Sequence, residues 1–400
     1  MDPALHDALT PADVAAANDL TRRWFAARTE VPAAASGPGV WPLLAMLAAG
    51  AVEDTLEELL AAAGLDADRA AAVPGLLLEG ARNSRAIRLA LGVWAGAGAA
   101  LDPDWTAALP VGTVGSLTGD PAADEAALDA WAREHTDGLI DRMPLDLDEQ
   151  IRLVLASALS VRTAWTVPFQ DAYASFTTGP WARPGPCEIL TVTYHEDVLR
   201  IGANASVLTV RGEDDIDVLL AIGLDDIAPG AVMARLFAAA KNPAWGRSPA
   251  ELEPGRRGPG VRIVESFEEQ PQSAPEVTAR TVAFTVAADL DLLEDAEALG
   301  LELAADGDLA QFDRLAAQRL FVSQARQSCT AVFSATGFEA AAVTAVGMAY
   351  MGGLPPEPPR PHRHVKAVVT FDRPFGYLVR HRPTGLFLLA GWVAEPQQAR

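Results

Sequence analysis

A mixed α/β fold in one domain is what this sequence predicts, and three observations predict it. Capped helical patterns crowd the first quarter, a strict period of two runs through 320–333, and short apolar runs broken by turn residues fill 365–394. No linker separates two independent cores, so residues 1–400 are expected to form a single domain.

Thr10-Pro11-Ala12-Asp13 supplies an N-cap, a proline at the first helical position and an acid in the first turn. Val14, Ala17, Leu20 and Trp24 then share one face, which predicts a helix to about residue 28. The apolar stretch 40–52, interrupted by Pro42 and Gly50, is too short to cross a hydrocarbon core of about 30 Å and reads as a buried helix. A second capped pattern runs from Asp54 to Gly64. Residues 86–95 read as a strand and 125–135 as a surface helix packed by Trp131. The apolar run 151–161 suits a central strand, although a buried helix gives the same pattern. A short apolar run follows at 218–222, and the prolines and glycines of 241–275 predict a loop-rich passage. Then come a strand at 280–288 and a short acidic helix at 290–299. In 320–333, Phe321, Ala325, Cys329, Ala331 and Phe333 alternate with polar residues, as in a long half-buried strand. Turns at Arg373-Pro374 and Pro383-Thr384-Gly385 separate the closing strands.

Composition narrows function. The 53 acidic residues outnumber the 31 basic ones, and a net charge of -22 repels a phosphate backbone, so nucleic acid is excluded as a partner. The N-terminus has no basic stretch followed by an apolar run, so no secretion signal is read, no membrane association is expected, and a cytoplasmic location is. Cys187 and Cys329 read as core thiols in a reducing compartment.

The usual enzyme signatures are absent: no Gly-x-Ser-x-Gly, His-Glu-x-x-His or Cys-x-x-Cys, and Gly112-Thr113-Val114-Gly115-Ser116 lacks a phosphate-loop lysine. His362-Arg363-His364 sets two imidazoles on one side of an extended segment, as a metal pair or as a solvated strand entry. Tyr194-His195-Glu196-Asp197 has the makings of an oriented base but no partner nucleophile. No catalytic residue, metal or cofactor is assigned.

The run Phe371-Asp372-Arg373-Pro374-Phe375-Gly376-Tyr377-Leu378-Val379-Arg380-His381, continued by Gly385-Leu386-Phe387-Leu388-Leu389-Ala390-Gly391-Trp392, resembles the C-terminal signature of the serpin family almost residue for residue. Trp131 with Thr136, Gly138 and Ile140, the run from Ala158 through Trp165 with Pro168 and Phe169, and Gly50, Thr55 and Leu59 are similar to further family motifs. The resemblance covers nearly the whole chain and points to a divergent bacterial member. It implies about nine helices around three β-sheets, with an exposed reactive-centre loop at 337–364. In inhibitory members a protease cleaves that loop, which inserts as a new central strand and traps the acyl-enzyme. Gly337, Glu339, Ala340, Ala341, Ala342 and Thr344 fit the hinge pattern, and family spacing places the bait near Met351-Gly352, suiting a chymotrypsin-like or subtilisin-like serine protease.

Departures from the family cluster where the sheet must open. The family's polar cluster of two serines, an asparagine and a histidine aligns with Trp41, Leu44, Ser157 and Gln327, which predicts mostly apolar packing. A lysine–glutamate pair at the top of the sheet aligns with Ala283 and Ala335, and Trp165 is counted in the same sheet-opening region. The small hydroxyl residue that enters the sheet first is Phe338, and overpacking there costs about 1–3 kcal/mol unless a cavity awaits it. The proline-rich 354–361 suits a stiff spacer or a partner-binding ligand as well as a bait. These departures favour a monomeric, non-inhibitory serpin-fold protein that binds a partner or small molecule. A suicide inhibitor is the alternative, and a scaffold recruited for catalysis through Cys187, His195, His362 or His364 is the third reading.

Overall fold

The computed structural model describes residues 5–136, 138, 140–145, 152–177, 179–182, 185–268, 271–338 and 362–396. Helices lead: α1 (Leu5–Ala8), α2 (Pro11–Ala27), α3 (Gly37–Gly50), α4 (Glu53–Ala63) and α5 (Ala67–Arg82). Thr10 and Asp13 form a reciprocal capping box, in which the Thr10 hydroxyl accepts from the Asp13 N–H and the carboxylate accepts from the Thr10 N–H at 2.7 Å. Gly64, at φ 64°, ends α4 in the left-handed conformation that favours glycine. Helix α5 goes unanticipated in the sequence because Pro74 and Gly75 sit inside its apolar pattern.

The chain continues through β1 (Ile87–Ala95), α6 (Pro103–Ala108), β2 (Val114–Ser116), α7 (Pro121–His135), β3 (Leu153–Val161), β4 (Thr163–Ala164) and β5 (Gln170–Ala174). Strand β3 settles the ambiguity of 151–161. All nine of its residues are buried, with Leu153, Leu155 and Leu159 in the main core and Val154, Ala156 and Ala158 packed with Leu128 and Ala132 of α7. Next come β6 (Cys187–Tyr194), β7 (Leu199–Ile201), β8 (Ala205–Arg211), β9 (Ile216–Gly223), α8 (Pro229–Lys241), β10 (Arg257–Gly258), β11 (Val261–Glu268), β12 (Glu276–Thr281) and β13 (Phe284–Asp291). The last elements are α9 (Ala296–Leu299), α10 (Glu302–Ala305), β14 (Val322–Phe333), β15 (Gly337–Phe338), β16 (His362–Thr370), β17 (Phe375–His381) and β18 (Phe387–Val393).

These strands form three sheets among the described residues. The largest runs β2-β1-β3-β14-β15-β4 with β13 on the outer side of β14, the second runs β10-β11-β16-β12-β6-β5, and the third runs β18-β17-β9-β8-β7. Two sequence expectations are corrected. Residues 241–275 are not loop throughout: β11 pairs with β16 from Val261–Val369 to Glu268–His362, its alternation masked by flanking prolines and glycines. The acidic helix at 290–299 begins later, because β13 continues to Asp291, whose carboxylate pairs with Arg326 of β14 at 2.8 Å; a 3-10 turn and α9 follow.

Candidate functional site

Strand β14 is flanked by β13 along most of its length and by β3, in parallel, from Val322 to Cys329. Above Cys329 the space between β14 and β4 is taken by β15. The chain reverses over 334–337, where the Ser334 N–H donates to the Gly337 carbonyl at 2.9 Å. Phe338 then pairs with Phe333 on one side and Thr163 on the other. Gly337 is needed for this approach, since a Cβ there would lie 2.3 Å from the Thr163 carbonyl oxygen.

The preceding turn is fixed from outside. Trp165 donates its backbone N–H to Thr336 at 3.0 Å and its indole N–H to Ser334 at 2.9 Å, and the Phe169 N–H donates to Ala335 at 2.8 Å. Around Phe333 lie Trp165, Phe284 and Phe169, with ring centroids 4.9, 5.2 and 5.4 Å away. Ala283 and Ala335 pack against this apolar core, so an aromatic cluster occupies the top of the sheet. The cavity that a phenyl ring requires is present: Phe338 is 1% exposed. Burying such a ring contributes about 2–3 kcal/mol.

Beneath the sheet, the expectation of mostly apolar packing is corrected. Gln327 of β14 accepts the Ser36 N–H at 2.8 Å through Oε1, and through Nε2 donates to the Ser36 carbonyl at 2.9 Å and to Ser157 Oγ at 3.2 Å. The Ser36 hydroxyl donates to the Leu388 carbonyl at 2.7 Å and accepts the Gly39 N–H. Gly39 leaves the room: a Cβ there would meet Gln327 Nε2 at 2.6 Å and Ser157 Oγ at 2.8 Å. Cys329 donates to Gln327 Oε1 at 3.3 Å, and burial pushes its thiol pKa up. Trp41 and Leu44 lie further along α3; Trp41 is buried and sends its indole N–H to the Ala63 carbonyl at 2.7 Å, and Leu44 belongs to the apolar core. Ser36 and Gly39 are the residues that sequence reasoning missed, although Ser36-Gly37-Pro38 is itself a helix-start signal.

Glu339, Ala340, Ala341, Ala342, Thr344, Met351 and Gly352 lie outside the described residues. The candidates for catalysis are not brought together. Cys187 is buried and donates to the Ala174 carbonyl at 3.3 Å, and His195 is exposed beyond the far end of β6. Strand β12 separates β6 from β16, which carries an exposed His362 and a buried His364. Among the described residues no group of three or more His, Cys, Asp or Glu is arranged to hold a metal ion.

A separate cleft of about 430 Å³ lies between α2, α8 and the β17–β18 turn. Val14, Ala15, Ala234, Phe237 and Phe387 give it an apolar wall. Asn18 fixes the turn against α2, donating to the Gly385 carbonyl at 2.9 Å and accepting the Phe387 N–H at 2.8 Å. Of the cations lining it, Arg22 pairs with Asp19 at 2.7 Å, whereas Lys241 makes no ion pair among the described residues.

Comparison with known proteins bears on this geometry. The family model described as Serpin (serine protease inhibitor) matches residues 15–177 and 265–396. Plasminogen activator inhibitor 1 of Bos taurus is 23% identical over 276 residues, which cover 66% of this chain and 60% of that protein. The chain therefore spans about three fifths of that curated relative's length. The native structure of tengpin, a thermophilic serpin, superposes with a TM-score of 0.73 at 16% identity, covering 96% of this chain and 94% of tengpin. A complex of thyroxine-binding globulin with thyroxine superposes at 0.68 and 17% identity, covering 97% and 98% of the two chains.

Proposed function

The chain belongs to the serpin family, and we propose that it is a non-inhibitory member that binds a small amphipathic molecule. One observation carries the first part: Phe338, the position by which an inserting loop enters the sheet, is already seated as β15 with its ring buried between β14 and β4. Insertion along the rest of the sheet has to part β14 from β3. That seam is held by seven register pairs and crossed by the Gln327–Ser157 hydrogen bond. The hinge therefore acts as a fixed strand rather than a released spring.

The second part rests on the cleft between α2 and α8, whose apolar wall and Lys241 suit a ligand with a hydrophobic body and one anionic group. That a globulin of the same fold binds thyroxine supports a carrier role. A reducing, cytoplasmic setting is part of this reading and fits the two buried free thiols.

The test is to nick the chain within 339–361 with a nonspecific protease and compare melting temperatures. An unchanged value is expected. A large upward shift overturns the reading in favour of a suicide inhibitor with its bait near Met351-Gly352. For the cleft, anilinonaphthalene sulfonate is expected to bind one-to-one and to be lost in Ala234→Trp, because the exposed Ala234 lines the cleft and accepts a bulky ring without disturbing the core. Equal binding by that variant would rule the cleft out.

A further inference from the structure

We propose that a second cleft, framed by the β7–β8 turn and the segment 242–260, binds a compact oligophosphate. Its volume is about 710 Å³, its lining includes Arg247, Arg256 and Arg257, and no acidic residue lines it. In a chain of net charge -22 that absence is informative, because acids are available nearly everywhere else. Arg69 pairs with Asp13, Arg326 with Asp291, and Arg380 and Arg382 both with Asp217. By contrast, Arg247, Arg256, Arg257 and the neighbouring Arg262 make no ion pair and no side-chain hydrogen bond among the described residues.

The hairpin of β10 and β11 sets Arg257 directly opposite Arg262. Like charges in that position destabilise a strand pair, and no ion pair among the described residues offsets them, so an arriving anion relieves the repulsion. The backbone holds the arginines in place. Arg247 exchanges two hydrogen bonds of 2.9 Å with Ile201, and the Arg256 carbonyl accepts from the Ile263 N–H at 3.1 Å. Glycines 202, 246 and 258 keep parts of the wall down to bare backbone. Beneath Gly258 lies the Ser206 hydroxyl, buried and without a hydrogen-bond partner among the described residues; a Cβ on Gly258 would come within 3.6 Å of it.

Planar guanidiniums grip phosphate oxygens two at a time, so the three that line this cleft, with Arg262 paired opposite Arg257, select a ligand with several negative charges in a small volume. Leu224, 41% exposed, gives an organic group on that ligand an apolar surface to lie against. The segment 178–264, which includes this cleft's arginines and β10, lies between the two stretches that the family model matches.

The experiment titrates the full chain with tripolyphosphate and, separately, with ATP at low salt, following heat of binding. Arg257→Gln combined with Arg262→Gln is compared with Arg133→Gln, an exposed arginine on α7. One site is expected in the wild type and in Arg133→Gln, with affinity weakened at least roughly tenfold in the double variant. Without ligand the double variant is expected to melt no lower than the wild type, since it loses a repulsion. Tighter binding of ATP than of tripolyphosphate would assign the phosphates to an organic carrier, and equal binding would make the phosphate chain the whole ligand. Failure of the wild type to bind either probe, or wild-type affinity in the double variant, overturns the proposal.

Discussion

The carboxamide of Gln327 bridges both backbone groups of Ser36, accepting from its N–H at 2.8 Å and donating to its carbonyl at 2.9 Å. Through this bridge β14 is tied to the residue that caps α3, and the same amide reaches Ser157 of β3. A clamp of this kind crosses the seam along which β14 pairs with β3.

Gln327→Leu is expected to leave the buried Ser36 N–H unpaired, whereas the Ser36 carbonyl still accepts the Gly39 N–H at 3.3 Å. An orphaned buried N–H costs about 1–3 kcal/mol, and urea denaturation is expected to show a loss in that range. Gly39→Ala pushes the same amide with a single methyl and is expected to destabilise too, by less. A loss well under about 1 kcal/mol for Gln327→Leu would show that the clamp adds nothing.

Phe338→Ala removes the ring that seats β15. A buried Phe→Ala change costs about 3–5 kcal/mol, but a two-residue strand is able to unpair locally and so cap that cost. Hydrogen exchange over 334–338 is expected to accelerate strongly in Phe338→Ala and only slightly in Phe338→Leu. Unchanged protection in the alanine variant would mean that the Trp165 and Phe169 hydrogen bonds alone fix the segment.

Acid is expected to destabilise the fold in a window set by His381. Burial, assisted by Arg382 and His6 against the opposing pull of Asp215, lowers its pKa to about 4, while its Nδ1 lies 2.9 Å from Thr384 Oγ1. A histidine depressed below its unfolded value near 6.5 contributes stability that is full above that value and lost as pH falls towards 4, on the order of 3 kcal/mol. Asp13 adds to the loss at lower pH. Burial alone would raise its pKa, but hydrogen bonds from Arg69 and Thr10 outweigh burial and hold it below the usual carboxylate range. Stability measured from pH 7 to 4 is expected to fall less steeply in His381→Gln than in the wild type. Parallel curves would acquit His381.

Cys329 is expected to resist alkylation in the native state. It has no exposed surface, and burial disfavours its thiolate, the reactive form. Labelling by iodoacetamide should track global unfolding. Rapid labelling under native conditions would reveal an opening of the sheet that the Gln327 clamp is expected to prevent.

Much of the architecture was legible from local pattern. Thr10-Pro11-Ala12-Asp13 announced α2 because capping is decided within four residues, and the alternation through 322–333 announced β14 because a half-buried strand must alternate. The family itself was legible in 371–392, where glycines and aromatics sit at fixed spacing. Helix α5 and strand β11 were not, because Pro74 inside one and the flanking prolines and glycines around the other break the local signal that tertiary packing overrides.

Sequence alone thus determined many of the elements, the family and the presence of a phenyl ring at position 338. Whether Phe338 is a clash or an anchor depended on Phe333 and Thr163, and whether Gln327 replaces a polar cluster depended on Ser36, 291 positions away. Only tertiary structure decided these, because burial and hydrogen-bond partnership belong to pairs of residues that the chain brings together only on folding.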